Sequence, residues 1–474
     1  MKTQAPSIYW HDYETWGLSP ALDRPSQFAG IRTDLDFNHI GEPDMIYCRL
    51  ANDYLPDPES VLITGISPRI TQSEGVSELE FASLINTQFT QVNTCVVGYN
   101  NIRFDDEFSR NIFYRNFYDP YEYSWKNGNS RWDIIDLVRA SYALRPDGIN
   151  WPSNDQGMPS FRLELLTKAN GISHEQAHDA TSDVYATIAI AKLIKQKAPK
   201  LFDYYFALRN KHKVKALIDC RSMQPLVHVS GMFGSARGNV SLVAPLVWHP
   251  DNANVVIVVD LMQDISPLLE LSADELASRL YTKTAQLNGR LPVPLKQVHI
   301  NRCPFLAIEQ ALLPENAERL GIDKPRCFQN LEVLRHNPAV VDVIKQVFQQ
   351  EKKFDCQGNV DAMLYDGFFS PQDKAVFDKI RKLSAAKLAT AEFSVSDQRF
   401  TELFFRYRAR NFPQSLSVAE QQQWESYRQV NFKEKWADYF SVLAAYMEKH
   451  QSDKEKWQVL SELNEYALSM TTGL

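Results

Sequence analysis

Four runs rich in aromatic and β-branched residues, SIYWHDYE, FAGIRTDLD, MIYCRLAN and TCVVGYN, are bounded by Pro, Gly or Asn before residue 200. Stretches of helical periodicity are set among and after them, SELEFASLINTQF, DDEFSRNIFYRNF and SDVYATIAIAKLIKQ. A chain written this way can bury its strands only in a sheet with helices packed on it, so residues 1–199 are expected to form an α/β domain. From 200 to 352 the runs QPLVHVSG, NVSLVAPLVW, NVVIVVDL and VPLKQVHI predict a mainly β domain with helical additions. One such helix is expected at SADELASRLY, where Ser272 and Glu275 have capping-box spacing. Past the polar stretch EKKFDCQGNVD the pattern is helical, giving an all-α domain over 357–474. There Trp436, Tyr439, Phe440, Leu443 and Met447 follow the stripe that a helix buries.

Hydrophobic residues at 44% and charged residues at 23% of 474 exclude a disordered or fibrous chain. The six cysteines include no C-x-x-C pair, which suggests neither a zinc site nor a disulfide framework and points to a reducing compartment. No apolar run approaches membrane-spanning length, and HDYE arrives before a signal-peptide core could fit, so a cytoplasmic protein without membrane contact is expected. The net charge of -7 argues against indiscriminate nucleic-acid binding but leaves room for a local basic groove. RNKHKVK, with Arg209, Lys211, Lys213 and Lys215, is either such a phosphate track or a solvated helix face.

SIYWHDYETWGLSP carries Asp12 and Glu14 two residues apart. In a strand this spacing sends both carboxylates to one face, and buried charge needs a cation or water. With 58 acidic residues in the chain, an Asp-x-Glu triplet also arises by chance. Gly17 and Pro20 end the strand, so the pair sits at a carboxyl end, where α/β sheets bind ligands. A hard divalent cation needs two or three carboxylates. Further candidates are Asp105 or Asp106 in GYNNIRFDDEF, and His178 with Asp183 in AHDATSD. Each has a local reading as well: helix-start residues for Asp105 and Asp106, a dipole complement for Asp183, a loop residue for His178.

Taken in order, DYET, NNIRFD and HDATSD resemble the motifs of the DEDDh exonucleases, matching Asp12, Glu14, Asp105, His178 and Asp183; Asp106 and Asp179 are read as structural neighbours. HDYETWGLSPALDRPSQFAGIRTD, GYNNIRFDDE, GINWPSNDQGMPSFRLE, PLVHVSGMFG and YRARNFP extend the resemblance over essentially the whole chain, to the bacterial exonuclease I family. The resemblance implies a ribonuclease-H-like exonuclease domain, an SH3-like β domain and a helical C-terminal domain closing around a DNA strand. It also implies a monomer that degrades single-stranded DNA from the 3′ end to 5′-mononucleotides in DNA repair and recombination. Two Mg²⁺ ions, with Mn²⁺ as an alternative, would be held by Asp12, Glu14 and Asp183 on the catalytic side and by Asp105 on the second, with Asp12 bridging. His178 would accept the proton of the attacking water, its ordinary pKa lying near neutrality.

Unpaired substrate asks for stacking surfaces and phosphate donors. Trp16 beside Glu14 is read either as a base-stacking platform or as core. Arg162, Arg237 and the group Arg406, Arg408 and Arg410 mix basic with aromatic neighbours in the same manner. Through the resemblance, Arg145, Tyr204 and Arg335 match positions that hold the acidic C-terminal tail of single-stranded DNA-binding protein, and Ile308 stands where relatives carry a polar residue. A glycoside hydrolase also pairs carboxylates but needs neither the His178-x4-Asp183 helix nor a third acid. A binding module derived from a nuclease would be expected to lose an acid, and all four are present. An exoribonuclease on the same fold stays open, because no residue pattern here reports on the 2′ position.

Overall fold

The aromatic run near the start forms β1 (Ser7–Thr15), buried along nearly its whole length. It pairs antiparallel with β2 (Pro25–Thr33), β2 pairs antiparallel with β3 (Asp44–Tyr47), and β4 (Thr94–Gly98) runs parallel to β1 on its other side. β1 is therefore central, which is why its sequence is apolar on both faces until the acids begin. Two expected strands end before their sequence runs do, and β2 also begins three residues ahead of its run. Asp34 ends β2 by accepting from the amides of Asp36 and Asn38 at 2.8 and 2.9 Å, a local turn that competes with the ladder. Beyond Tyr47 the chain bonds to Val76 instead, through Arg49 N at 2.8 Å.

The computed structural model describes residues 5–174, 179–349, 358–433 and 436–471; His178 and most of EKKFDCQGNVD lie outside them. The chain divides into two compact units, the first within Met1–Ser130, Glu175–Tyr185 and Asp355–Leu474, the second within Arg131–His174 and Ala186–Phe354.

In the first unit, Tyr9, Tyr13 and Phe28 of the sheet pack on Phe81, Ile85 and Phe89 of helix Glu78–Phe89 and on Phe108, Ile112 and Phe113 of helix Asp105–Arg115. Ser77 and Glu80 close a capping box on the former. The C-terminal helices Phe400–Asn411, Val418–Lys433, Trp436–Lys449 and Lys454–Thr471 belong to the same unit. The expected stripe is present: Leu443 is buried, with Tyr439, Phe440 and Met447 packed beside it and the Trp436 ring 4.6 Å from that of Phe440.

β5 (Ser130–Asp133) leads the chain into the second unit. Its sheet comprises β6 (Leu226–Val229), β7 (Val240–Trp248), β8 (Val255–Asp260), β9 (Leu295–His299) and β10 (Phe305–Ile308), all antiparallel, in the order β10-β6-β7-β8-β9. Pro245, which has no amide proton for the ladder, coincides with a register shift in β7. The helix expected at SADELASRLY spans Ala273–Leu280 and carries its Ser272–Glu275 capping box.

Candidate active site

Asp12 and Glu14 lie on one face of β1, as the strand period requires. Asp183 joins them from the first turn of helix Ala180–Lys197, and oxygens of the three carboxylates lie within 4.8 Å of one another. The helix start is tied to the sheet by Gln27, which stands opposite Glu14 in the β1–β2 register. Gln27 Oε1 accepts from Ala180 N at 3.2 Å, and its Nε2 donates to Asp179 Oδ1 at 3.2 Å. Asp179 in turn accepts from Ser182 N at 3.1 Å. Asp179 thus holds the turn that presents Asp183.

Asp105 and Asp106 both sit in the first turn of helix Asp105–Arg115, and the backbone separates their roles. The buried Asp105 turns to β1, accepting from the amide of Tyr13 at 3.2 Å, while Asp106 accepts from Asn101 Nδ2 at 3.2 Å. Tyr13 meets Ser109 of the same helix through its hydroxyl at 2.9 Å, which pins the helix against the strand between the two acids.

Burial and then the neighbouring carboxylates Asp105, Glu14, Asp183 and Asp179 push the Asp12 carboxyl well above its ordinary range. Burial, followed by Asp183, Asp105 and Asp179, raises Glu14 to about 9. Among the described residues, the leading charges acting on these two groups are carboxylates. A cluster of hard oxygen donors that repel one another suits a divalent cation such as Mg²⁺ or Mn²⁺. A cavity of about 490 Å³ adjoins the cluster through Gln27 and Asp179, with Tyr47, Ser67, Arg69 and Gln458 also in its wall.

Several expected contacts are placed differently. Trp16 is fully buried among Leu50, Val61, Leu443, Leu460 and Leu463, so it is core and offers no face for a base to stack on. Arg406, Arg408 and Arg410 are internal rather than DNA-facing. Arg410 Nη2 lies 2.6 Å from Asp361 and 2.8 Å from Asp53, Arg406 Nη1 lies 3.1 Å from Asp361, and Arg408 pairs with Glu420. A helix buried against acidic neighbours explains the alternation of Arg and aromatic residues in YRARNFP. Arg237 is held by Asp260 at 2.9 and 3.0 Å and by Ser241 at 2.7 Å, so a fully buried carboxylate compensates its charge.

Arg162 has a 71% exposed side chain, paired with Glu164 at 2.6 Å. Lys211, Lys213 and Lys215 are exposed on the short helix Lys211–Ala216. Lys211 Nζ bonds Asn254 at 3.2 Å, and Lys215 Nζ sits 5.4 Å from the Trp248 ring centroid. At about 100° per residue Lys211 and Lys215 share a face and Lys213 points the other way, so the three do not form one row. Arg145 donates to Ala311 O at 3.2 Å, Tyr204 OH to Leu306 O at 2.7 Å, and Arg335 to Ser222 O at 2.8 Å; Ile308, two residues past Leu306 in the chain, is half exposed. Gln27 and Tyr13 are the positioning groups that sequence reasoning missed; their roles depend on strand register and helix docking, which no spacing reports.

Family models match three successive segments: Exonuclease over residues 9–191, Exonuclease I SH3-like domain over 209–350, and Exonuclease I C-terminal domain over 358–470. The chain is 55% identical over 465 residues to Exodeoxyribonuclease I of Escherichia coli (strain K12), covering 98% of each. It superposes with a TM-score of 0.97 on the crystal structure of E. coli Exonuclease I in complex with a dA16 oligonucleotide, at 54% identity, covering 98% of this chain and 100% of that one. A crystal structure of SSB/Exonuclease I in complex with inhibitor CFAM aligns with a TM-score of 0.93 at 53% identity, covering 99% of this chain and 100% of that one.

Proposed function

The chain belongs to the exonuclease I family, and from that premise we propose how it degrades single-stranded DNA from the 3′ end to 5′-mononucleotides. The observation that carries the reading is the convergence of Asp12, Glu14 and Asp183 within 4.8 Å, with Asp105 bonded to the intervening strand. Asp12, Glu14 and Asp183 would hold one Mg²⁺ and Asp105 a second, partly through water, with Asp12 shared between them. Bound there, the ions would supply Lewis acidity to the scissile phosphate and a water acidic enough to ionise near neutral pH. His178 would accept the proton of the attacking water. Gln27 and Asp179 keep the helix bearing Asp183 against β1, so the acids are in place before substrate arrives. Domains of residues 1–199, 200–352 and 357–474, a monomeric state, a cytoplasmic location and a role in DNA repair and recombination complete the proposal. No helix among the described residues is long and apolar enough to cross a membrane.

Arg162, Lys211 and Lys215 are the exposed cations proposed to meet phosphates of the incoming strand. For a partner, the acidic C-terminal tail of single-stranded DNA-binding protein is proposed to bind at Arg145, Tyr204 and Arg335. In favour, Tyr204 and Arg145 bond to carbonyls of Leu306 and Ala311, and β10 is an edge strand whose Ile308 pairs with Leu226, close in sequence to the Ser222 that Arg335 holds. Ile308 offers that tail an apolar contact.

The test is digestion of matched end-labelled single- and double-stranded DNA and RNA, with Mg²⁺ and with chelator. Shortening of single-stranded DNA alone, from the 3′ end and only with metal, is expected. Equal cleavage of RNA, or cleavage that survives the chelator, would overturn the reading.

A further inference from the structure

Just past Glu14 the hold of the sheet on β1 weakens. The β1–β2 register shifts between Glu14 and Thr15, Thr15 pairs with Pro25, and β1 ends there. Other bonds take over. Trp16 N donates to Arg24 O at 2.9 Å, and Trp16 O accepts from Asp57 N at 2.9 Å and from Tyr54 OH at 3.1 Å. Tyr54 OH also lies 2.9 Å from Asp23 Oδ1, and the other oxygen of that carboxylate accepts from Ser19 N at 2.7 Å.

The segment that holds Trp16 is itself gripped by the C-terminal helices. Asn52 accepts from Trp424 Nε1 at 3.0 Å and from Arg428 Nε at 2.6 Å. Asp53 accepts from Arg410 at 2.8 Å and, at its carbonyl, from Asn431 at 3.2 Å. Tyr466 OH bonds Tyr54 O at 3.2 Å, and Tyr439 OH bonds Pro56 O at 2.9 Å. The last two helices also wall in the Trp16 ring with Leu443, Leu460 and Leu463. All these groups lie in the first compact unit.

We propose that Trp16 is a positioning residue through which the C-terminal helices hold Glu14 in the geometry a metal ion requires. The carboxylates of Asp12, Glu14 and Asp183 repel one another, so without an external clamp the end of a bulged strand would relax to separate them. The clamp is supplied from residues 410–466, more than 390 positions along the chain from the ligand they orient. The inference rests on the reading of the acids as a metal site.

The test is a titration of Mn²⁺ into the DNA-free full-length protein, followed by electron paramagnetic resonance, beside single-strand affinity measured in chelator. Trp16→Ala should weaken Mn²⁺ binding about 10-fold, as loss of a group supporting a ligand does. Trp16→Phe should restore most of it, and single-strand affinity in chelator should be the same in all three proteins. If circular dichroism shows Trp16→Ala unfolded, the Tyr439→Phe/Tyr466→Phe double variant, which removes only the hydroxyl donors to Pro56 and Tyr54, should show the same weakening on a smaller scale. Unchanged Mn²⁺ affinity in a folded variant, or a parallel loss of metal and DNA binding, would overturn the proposal. Failure of the wild type to bind Mn²⁺ would instead overturn the metal-site reading beneath it.

Discussion

Glu14 and Asp12 are arranged for a task that opposes folding, since burial and then neighbouring carboxylates raise the pKa of each. Asp12→Asn or Asp183→Asn should therefore lower Mg²⁺-dependent turnover by several orders of magnitude, because metal charge is lost. The metal-free variants should melt no lower than wild type, since one member of a repelling set has gone. Turnover on a labelled oligonucleotide and calorimetry in chelator check both halves, and near-normal turnover by either variant would count against the site. His178→Ala should lose roughly 10² to 10⁴ in turnover while still binding single strands. Under conditions where chemistry limits the rate, its pH profile should change shape. At this scale the Asp12–Glu14 spacing was legible, because a strand's period of two follows from covalent geometry alone. The choice of Asp105 over Asp106 came from the motif resemblance and not from spacing; its physical basis, the bond from the Tyr13 amide to Asp105, lies in the tertiary structure.

Helix Lys211–Ala216 shows how an element reshapes a sequence run. RNKHKVK reads as one basic track, yet helical rotation leaves Lys211 and Lys215 about 40° apart and turns Lys213 away. If the shared face meets phosphates, Lys211→Ala with Lys215→Ala should flatten the slope of log affinity against log salt by about 1.4, at roughly 0.7 per contact. Lys213→Ala alone should leave the slope nearly unchanged. Affinity for a long oligonucleotide across a salt series in Ca²⁺ gives the slopes, and equal effects from all three lysines would show that the helix face does not order the contacts. The strands were legible as elements, from β-branched and aromatic runs between turn residues, but their ends were not. Asp34 and Val76 set the ends of β2 and β3 through bonds that hydrophobic patterning does not report.

At the scale of the molecule, a buried ion cluster ties the sheet-bearing part of the first unit to its C-terminal helices. Asp361 receives Arg410 at 2.6 Å, Arg406 at 3.1 Å and Arg24 at 3.4 Å. Glu78 receives Arg115 through paired bonds at 3.1 and 3.0 Å. Asp361→Asn should cost about 3–5 kcal/mol in denaturant unfolding, because three guanidinium groups lose their shared anion in the interior. Burial pushes the Glu78 carboxyl up, but Arg115 and Arg24 outweigh it and hold it at about 2. Its stabilisation, about 3 kcal/mol, is present above the unfolded carboxyl's pKa and fades as pH falls toward 2. Glu78→Gln should accordingly lower the melting temperature at pH 7 more than at pH 3, and an equal loss at both would show that the charge is not what stabilises. The α/β start, the mainly β middle and the helical end were legible in the sequence, because periodicity is a local property of a chain, and the motif acids through their resemblance to known motifs. That Trp16 is core, that Arg410 serves Asp53 and Asp361, and that Arg24 meets an acid 337 residues away was settled by packing. Burial and charge pairing are settled by which distant segments pack together, and that packing is a property of the whole fold.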